Sequence, residues 1–504
     1  MSPPSTDRAW TDVLVAIDVG TSGARAAAFD LDGRRRLEVR RSYPTSTPRP
    51  GWAEQDPRQW RQATLAALAA LVGELGTRRR VHAIGLTGQC PSVMLVDARG
   101  RPIGPALIYR DNRATAEAAA LRSRFGEEWL HRRTGHRAAA FHILPKLLWL
   151  RAHAPAEWRE ARLALQPRDW IALTLTGEAV TDGSHAAATL AFDLRRRRWD
   201  AGILDQLDLT ESLFPRVDAS SAVIGTLRPQ VAQRVGLATT TPIVLGGADS
   251  QACALGAGVI ASGPVSEMAG SSTCLNEAVA EPLDVLEVTH YPHVIGNGYT
   301  TETGINTSGA AIDWVAELFF GGRRGRARPA DFTRLDREAA AVTAGADGVL
   351  FIPALADGER DDPDLRAAFV GLSLRNDRST LARAALEGVA LTIRAQLMLL
   401  AQGGAPATEL RISGGDTRLA TWNQIKADVT GLPVTTVPGD AAVTGVAMLT
   451  GLGVAIYGST DDAIRRCVRP DPPLEPNPAL SGPYAEAFAR FQELVASPAL
   501  RHAL

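Results

Sequence analysis

Residues 13–19, VLVAIDV, form an unbroken apolar run of mostly β-branched side chains interrupted only by Asp18, the pattern of a strand buried on both faces. Gly20 and Gly23 then flank Thr21 and Ser22, and both glycines allow the backbone of a tight hairpin, so 24–29 reads as the returning strand. Residues 37–43 alternate as a third strand, and 44–51 is a Pro-rich loop. A helix start follows, with Asp56 as N-cap, Pro57 at the first helical position, and Trp60, Leu65, Leu68 and Leu71 at helical spacing. Residues 81–86 are a short buried strand ending in Thr87-Gly88-Gln89-Cys90-Pro91, and 93–96 begins another. Three strands, a helix and a strand predict an α/β fold whose mixed sheet opens with a meander, not the strict alternation of a dinucleotide-binding fold.

From 112 to about 150 the pattern is helical, interrupted near Gly135 and at 141–145; 163–165 is strand-like, and 168–175 a helix closed by Gly177. A loop-rich stretch reaches Pro242. The opening pattern then returns: IVLGGADSQACALGAG, from Ile243, is an apolar strand, a Gly-rich turn carrying Asp249 and Ser250, and a small-residue helix. Asp249 could there be only the cap of that helix. Residues 265–268 lead into Ala269-Gly270-Ser271-Ser272-Thr273, a second hairpin resembling 20–23 without its acid. A second domain of related design, and a cleft between the halves, follow from that repetition. Further on come a strand at 349–352, a charged loop at 357–364, a long helix at 378–402, a strand at 409–412 meeting Ser413-Gly414-Gly415-Asp416, and a helix at 419–430 ended by Gly431. Asp440 caps a small-residue helix around Gly445. A Pro-rich arm at 470–478 and a helix at 484–496 complete the chain.

A chain of 504 residues implies two or three domains. The formal net charge of −1 gives no general attraction to nucleic acid or anionic membrane, so any anionic ligand must be met by a local site. Lys146 and Lys426 are the only lysines, and the short arginine runs read as solvated faces. Cys90, Cys253, Cys274 and Cys467 have neither metal-ligand nor disulfide-frame spacing. The first ten residues lack a signal-peptide core, and no run of about 18 apolar residues indicates a membrane span; a cytoplasmic protein is expected.

The chemistry that these parts suit is phosphoryl transfer. A Gly-Thr-Ser-Gly turn can aim several N–H groups and two hydroxyls at one phosphate, with Asp18 beside it for a metal and Arg25 for added positive charge. Gly414-Gly415 lets a flat or anionic ligand approach the backbone.

Taken in order, DVGTSGAR at 18–25, WAEQDPRQW at 52–60, GGADSQ at 246–251, GERDDPDLRAAFVGL at 358–372 and WNQIKADVTGLPV at 422–434 resemble the FGGY carbohydrate kinases, and their xylulokinase-like branch in particular, over nearly the whole chain. The resemblance implies two actin-like (ribonuclease H-like) domains, 10–247 and 248–504, with mixed sheets around a cleft. It implies ATP and Mg²⁺, a small sugar or polyol as acceptor, and a homodimer. Asp18 would help hold Mg²⁺, with Asp249 as a second metal candidate; Gly20, Thr21, Ser22 and Arg25 would meet the γ-phosphate. Gly270, Ser271 and Ser272 would form the second phosphate turn, Gly414 and Gly415 would approach ADP, and Asp249 would be the base that deprotonates the acceptor. With an ordinary pKa of about 4, that base would act late and largely by position. Gln89, Cys90 and Pro91, with Asp249 and Ser250, would face the sugar. Xylulokinases usually carry Gly-Gln-Met-His-Gly where this chain has Gly88-Gln89-Cys90-Pro91-Ser92, and Asp-Asn where it has Asp249-Ser250. The Arg and Glu of glycerol kinases are also absent from that loop, and Asp361 replaces a more usual Ser or Thr. A noncatalytic actin-like ATP-binding protein and a plain ATPase could use the same sheets and turns, but neither needs a base aimed at an acceptor.

Overall fold

The computed structural model describes residues 11–77, 79–320, 328–356, 358–359, 362 and 364–501. Two six-stranded mixed sheets are its frame. The strands of the first are β1 (Asp12–Val19), β2 (Gly23–Asp30), β3 (Arg35–Ser42), β4 (Arg80–Gly88), β5 (Val223–Thr226) and β6 (Pro242–Val244), in the order β5-β6-β4-β1-β2-β3. The meander β1-β2-β3 is antiparallel, while β4 runs parallel to both β1 and β6. Val13 to Val19 are all buried, which is why β1 reads as a continuous apolar run. On one face lies α1 (Pro57–Leu75), whose N-cap Asp56 accepts from the Arg58 N–H and whose Trp60, Leu65, Leu68 and Leu71 join the core beneath β1 and β2.

The second sheet repeats the plan. Its strands are β7 (Pro264–Ala269), β8 (Thr273–Val279), β9 (Thr289–Pro292), β10 (Tyr299–Ile305), β11 (Glu409–Gly414) and β12 (Val434–Thr436), in the order β9-β10-β8-β7-β11-β12. Antiparallel β7-β8-β10 matches β1-β2-β3, and parallel β7-β11-β12 matches β1-β4-β6.

The helices that bear on the site are α2 (Pro167–Thr176), α3 (Gly183–Ala187), α4 (Asp249–Gly256), α5 (Gly309–Phe320), α6 (Arg378–Gln402), α7 (Ala420–Thr430) and α8 (Ala441–Gly453), of which the small-residue helices α4 and α8 join the two sheets. Helices α4 and α8 cross where Gly256 and Gly445 meet: a Cβ on either would stand 1.9 Å from a carbonyl oxygen of the other helix. Although α8 lies late in the chain, Val443, Val446 and Ala447 pack on Ala16, Ala27 and Phe29 of the first sheet. Asp440 caps α8 as its sequence predicts.

One expectation needs correction. The stretch before Pro242 is not mainly loop, for it holds α3, β5 and several further short elements. Helix α6 has the length and mean apolarity to cross a membrane, but 61% of its apolar window is buried inside the fold, where Leu386, Val389, Ile393 and Leu400 belong to the second sheet's core. Asp357 of the charged loop and Asp361 of the family-like stretch 358–372 lie outside the described residues, whereas Glu359 accepts from the Asn306 N–H and the Thr307 hydroxyl just before α5.

Candidate active site

Three loops leave the first sheet side by side. Val19 pairs with Gly88, and Gly88 bridges to Ala248, so the turn 20–23, the loop 88–91 and the start of α4 emerge from adjacent strand ends on one edge. Ligands of open α/β sheets bind outside such carboxyl ends.

The turn 20–23 is closed by the Gly20 N–H donating to Gly23 O at 3.1 Å. From behind, the Tyr43 hydroxyl donates to Gly20 O and the Gln55 amide donates to Thr21 O at 2.7 Å. Gln55 is itself fixed, for its side-chain oxygen accepts from Trp60 at 2.8 Å and from Gln89 at 2.9 Å. With these carbonyls held from the rear, Ser22 stays exposed and Thr21 half-exposed at the front. In the hairpin register Asp18 stands opposite Arg25, and their side chains are 3.4 Å apart. Arg25 also grips Asp440, the cap of α8, so one guanidinium ties the first sheet to the late helix.

Asp249 is the first residue of α4. Ala248 occupies the cap position, and the Asp249 carboxylate accepts from the adjacent Ser250 N–H at 2.9 Å, so Asp249 is not the cap of this helix. Burial, then the Asp18 carboxylate, and more weakly Glu302, push Asp249 up to about 8. Its value is thus far from the ordinary one and lies near neutral pH, where a general base is most effective. Asp18, 8% exposed, is also raised by burial, against the opposing pull of Arg25. Asp18 Oδ1 is buried and has no hydrogen-bond partner among the described residues.

At the second sheet's matching edge, the Gly270 N–H donates to Ser272 O at 3.1 Å, closing the turn 270–272 as 20–23 is closed. The start of α5 is stitched to it, with Ser308 and Ala310 N–H groups donating to Ser271 O. Beside it, Ala269 pairs with Gly414, where φ is +104° and a Cβ would stand 2.1 Å from Ala269 O. Gly415 has open space in front of it. Behind these glycines Lys426 donates to Glu267 at 2.6 Å and to Asp416 at 3.1 Å, fully buried.

This pair of turns on two duplicated sheets has counterparts among known proteins. The sequence model of the FGGY family of carbohydrate kinases matches residues 13–256 with its N-terminal domain and 266–454 with its C-terminal domain. The chain belongs to that family. Xylulose kinase of Escherichia coli (strain K12) is 30% identical over 430 residues, 83% of this chain and 85% of its own. Glycerol kinase of Bordetella parapertussis is 32% identical over 473 residues, 90% of each chain. The crystal structure of xylulose kinase from Rhodospirillum rubrum matches with a TM-score of 0.87 at 31% identity, over 96% of this chain and 98% of that one. The protein is therefore an ATP-dependent carbohydrate kinase, a phosphotransferase with an alcohol group as acceptor.

Within this FGGY kinase, the loop beside Asp249 is built differently at each of its three residues. Gln89 is 1% exposed and its amide holds Gln55 and the turn 20–23. Cys90 is half-buried and joined to Pro91 by a cis peptide bond. Burial first, then Asp249, Asp182, Asp169 and Glu302, hold the Cys90 thiol well above its usual range, so it stays protonated. Sequence reasoning missed four groups that the fold brings to this edge. Arg168, Asp182 and Ser184 surround the loop before Asp249, and Glu302 reaches the same region from β10, where its carboxylate accepts from Gln251 at 3.4 Å. None belongs to a periodic or glycine-rich pattern; the Thr-Asp-Gly-Ser run at 181–184 was the one signal available.

Proposed function

We propose that this kinase transfers the γ-phosphate of ATP to a hydroxyl of a neutral ketopentose or polyol held over Asp249. The reading is carried by the common strand edge that presents the turn 20–23, the Cys90-Pro91 loop and Asp249 together. Asp18 Oδ1, buried without a partner and next to a second raised carboxylate, suits Mg²⁺ arriving with the nucleotide. No cluster of three or more His, Cys, Asp or Glu that could hold a metal exists among the described residues, which fits an ion held largely by phosphate and water. When bound, Mg²⁺ neutralises charge on the β- and γ-oxygens.

The remaining roles fall to the chain. Gly20, Thr21, Ser22 and Arg25 meet the γ-phosphate; Gly270, Ser271 and Ser272 cradle the nucleotide phosphates from the opposite sheet; Gly414 and Gly415 admit the ADP moiety at the open face of Gly415. Asp249 takes the acceptor proton as the oxygen attacks in line. Its raised pKa makes it a stronger base than an ordinary carboxylate, while positioning and electrostatics carry most of the rate. Gln89, Cys90, Pro91 and Ser250 bound the acceptor. The two units, 10–247 and 248–504, close on each other, excluding water from the transfer.

Neutrality of the acceptor follows from charge. Arg25 and Arg168, the cations at this edge, are engaged with Asp18, Asp440 and Asp182, so neither is left to pair with an aldonate carboxylate. Pro91 has no donor for a hydroxyl that a His would meet. Leaving one buried hydroxyl unpaired costs about 1–3 kcal/mol, one or two orders of magnitude in preference. D-Xylulose should accordingly be a poor substrate and another ketose or polyol a better one. Measuring ADP release with ketopentoses, pentitols, tetritols, glycerol and aldonates tests this. The expected result is strong stimulation by a neutral ketose or polyol other than D-xylulose. Turnover that no acceptor stimulates would overturn the assignment of the site, and the highest kcat/KM on an aldonate would overturn the charge argument.

A further inference from the structure

The loop 245–248, which delivers Asp249, is held on every side. Gly246 has φ +74°, and a Cβ there would stand 1.6 Å from Leu86 O. The Thr87 hydroxyl donates to Gly247 O at 2.7 Å, and Arg168 Nη1 donates to Leu245 O at 3.1 Å and Gly246 O at 3.4 Å. The last backbone group before Asp249, the Ala248 N–H, donates to Ser184 Oγ at 2.9 Å. Ser184 in turn donates to Asp182 Oδ2 at 2.6 Å, and Asp182 Oδ1 accepts from Arg168 Nη2 at 2.6 Å. Arg168, Asp182 and Ser184 are each no more than 1% exposed. Burial alone would raise Asp182, but Arg168, with His185 and Ser184, outweighs it and holds the carboxyl below its usual range, so the acceptor of this chain is a carboxylate.

We propose that Ser184 is a positioning residue for phosphoryl transfer: its hydroxyl, oriented by the Arg168-Asp182 pair, fixes the Ala248 N–H and with it the aim of the Asp249 carboxylate at the acceptor hydroxyl. The proposal rests on Asp249 being the base. Ser184 does not touch substrate. It acts because α4 begins one residue after the bond it makes, and a displacement of about 1 Å in a reacting group costs on the order of 10²-fold in rate.

The molecule contains its own control. The Ser220 hydroxyl donates to the same Asp182 Oδ2, at 2.8 Å, and Ser220 meets the loop through its backbone carbonyl, which accepts from the Gly246 N–H at 2.7 Å and is kept in Ser220→Ala. In the full-length protein Ser184→Ala should lower kcat on the order of 10- to 100-fold while leaving KM for ATP within about twofold, and Ser184→Thr should recover most of the loss because it keeps the hydroxyl. Ser220→Ala should lower Tm comparably and leave kcat within about twofold. In an Asp249→Asn background Ser184→Ala should add little, since the group it aims is gone. If Ser184→Ala does not fold, Ser184→Cys, which keeps the size with a weaker acceptor, is read in the same way. Wild-type kcat in Ser184→Ala, or equal kcat losses in Ser184→Ala and Ser220→Ala, would overturn the proposal. Near-wild-type kcat in Asp249→Asn alone would instead overturn the assignment of the base.

Discussion

The two sheets share their strand order and their hairpin, yet their edges carry different chemistry. In the first hairpin Asp18 faces Arg25; at the matching step of the second, Met268 faces Cys274. The first turn encloses four residues between Val19 and Ala24, the second three between Ala269 and Thr273. One edge therefore carries an acid facing an arginine, and the other, at the same step, two uncharged side chains. Each nonetheless has a buried cation behind it. Arg168 grips the carbonyls of the loop that delivers Asp249, and Lys426 grips Asp416 beside Gly414-Gly415. The duplicated backbone supplies two similar turns, and the side chains around them differ.

The largest effect should come from the side of the ions. Asp249→Asn preserves size and hydrogen bonding but removes the base, and kcat should fall by about 10²- to 10⁴-fold with ATP affinity retained; a mutant within threefold of wild type would end the assignment. Asp18→Ala and Met268→Ala then compare the hairpins directly. The first should cost on the order of 10²-fold in Mg²⁺-dependent turnover with sugar affinity preserved in calorimetry, and the second should cost stability only. Equal losses of turnover from both would dissolve the contrast.

On the first edge, beside Asp249, is the loop proposed to face the acceptor. Cys90→Met combined with Pro91→His restores a donor, and the ratio of kcat/KM for D-xylulose to that for the preferred acceptor should rise by about 10-fold or more. An unchanged ratio would show that this loop does not choose the sugar. On the neutral edge, Lys426→Met leaves Glu267 and Asp416 facing each other without their cation. KM for ATP should rise several-fold while KM for the sugar holds, together with a stability loss of about 3–5 kcal/mol in denaturant titrations. A rise in sugar KM instead would place Lys426 in the service of the other half.

The smallest expected effect is on pH-dependent stability. Asp249 in the folded protein holds its proton up to about 8, against an ordinary value of 3.8. Between these values the folded state binds more protons than the unfolded, so the stability contributed by the raised pKa is present in full below 3.8 and is lost as pH rises through about 8. Asp249→Asn should therefore melt higher than wild type at pH 8, with the gap narrowing towards pH 5. A gap that widens on acidification would mean that Asp249 is not raised.

Much of the site was legible before folding because its parts are local. Four residues of Gly-Thr-Ser-Gly prescribe a turn, an Asp-Pro pair starts α1, and Gly414-Gly415 marks a place where backbone must stay bare. Long-range partners were not legible. The bond of Arg168 to Leu245 O joins residues 77 apart, and that of Lys426 to Glu267 joins residues 159 apart; neither has a period or a spacing that a linear pattern could expose. The stretch before Pro242 looked loop-rich because α3 and its neighbouring strands are only a few residues long, too short for periodicity to register.

By itself the sequence determined the two hairpins, their glycines, the acid at the end of β1 and the acid after β6, because each depends on backbone freedom and on residues a few positions apart. Only the tertiary structure decided that α8 would cover the first sheet, that Arg25 would be shared by Asp18 and Asp440, and that the two lysines would take opposite roles. Lys426 faces two carboxylates, which outweigh its burial and keep it charged, whereas Lys146 donates to the Ile108 and Phe141 carbonyls and burial brings it down to about 7. Both lysines are fully buried. The pKa of Asp249 was decided in the same way, by burial and by the Asp18 carboxylate, remote in the chain but close in space, for electrostatic energy depends on distance in space and on the exclusion of water, and neither is written in the order of residues.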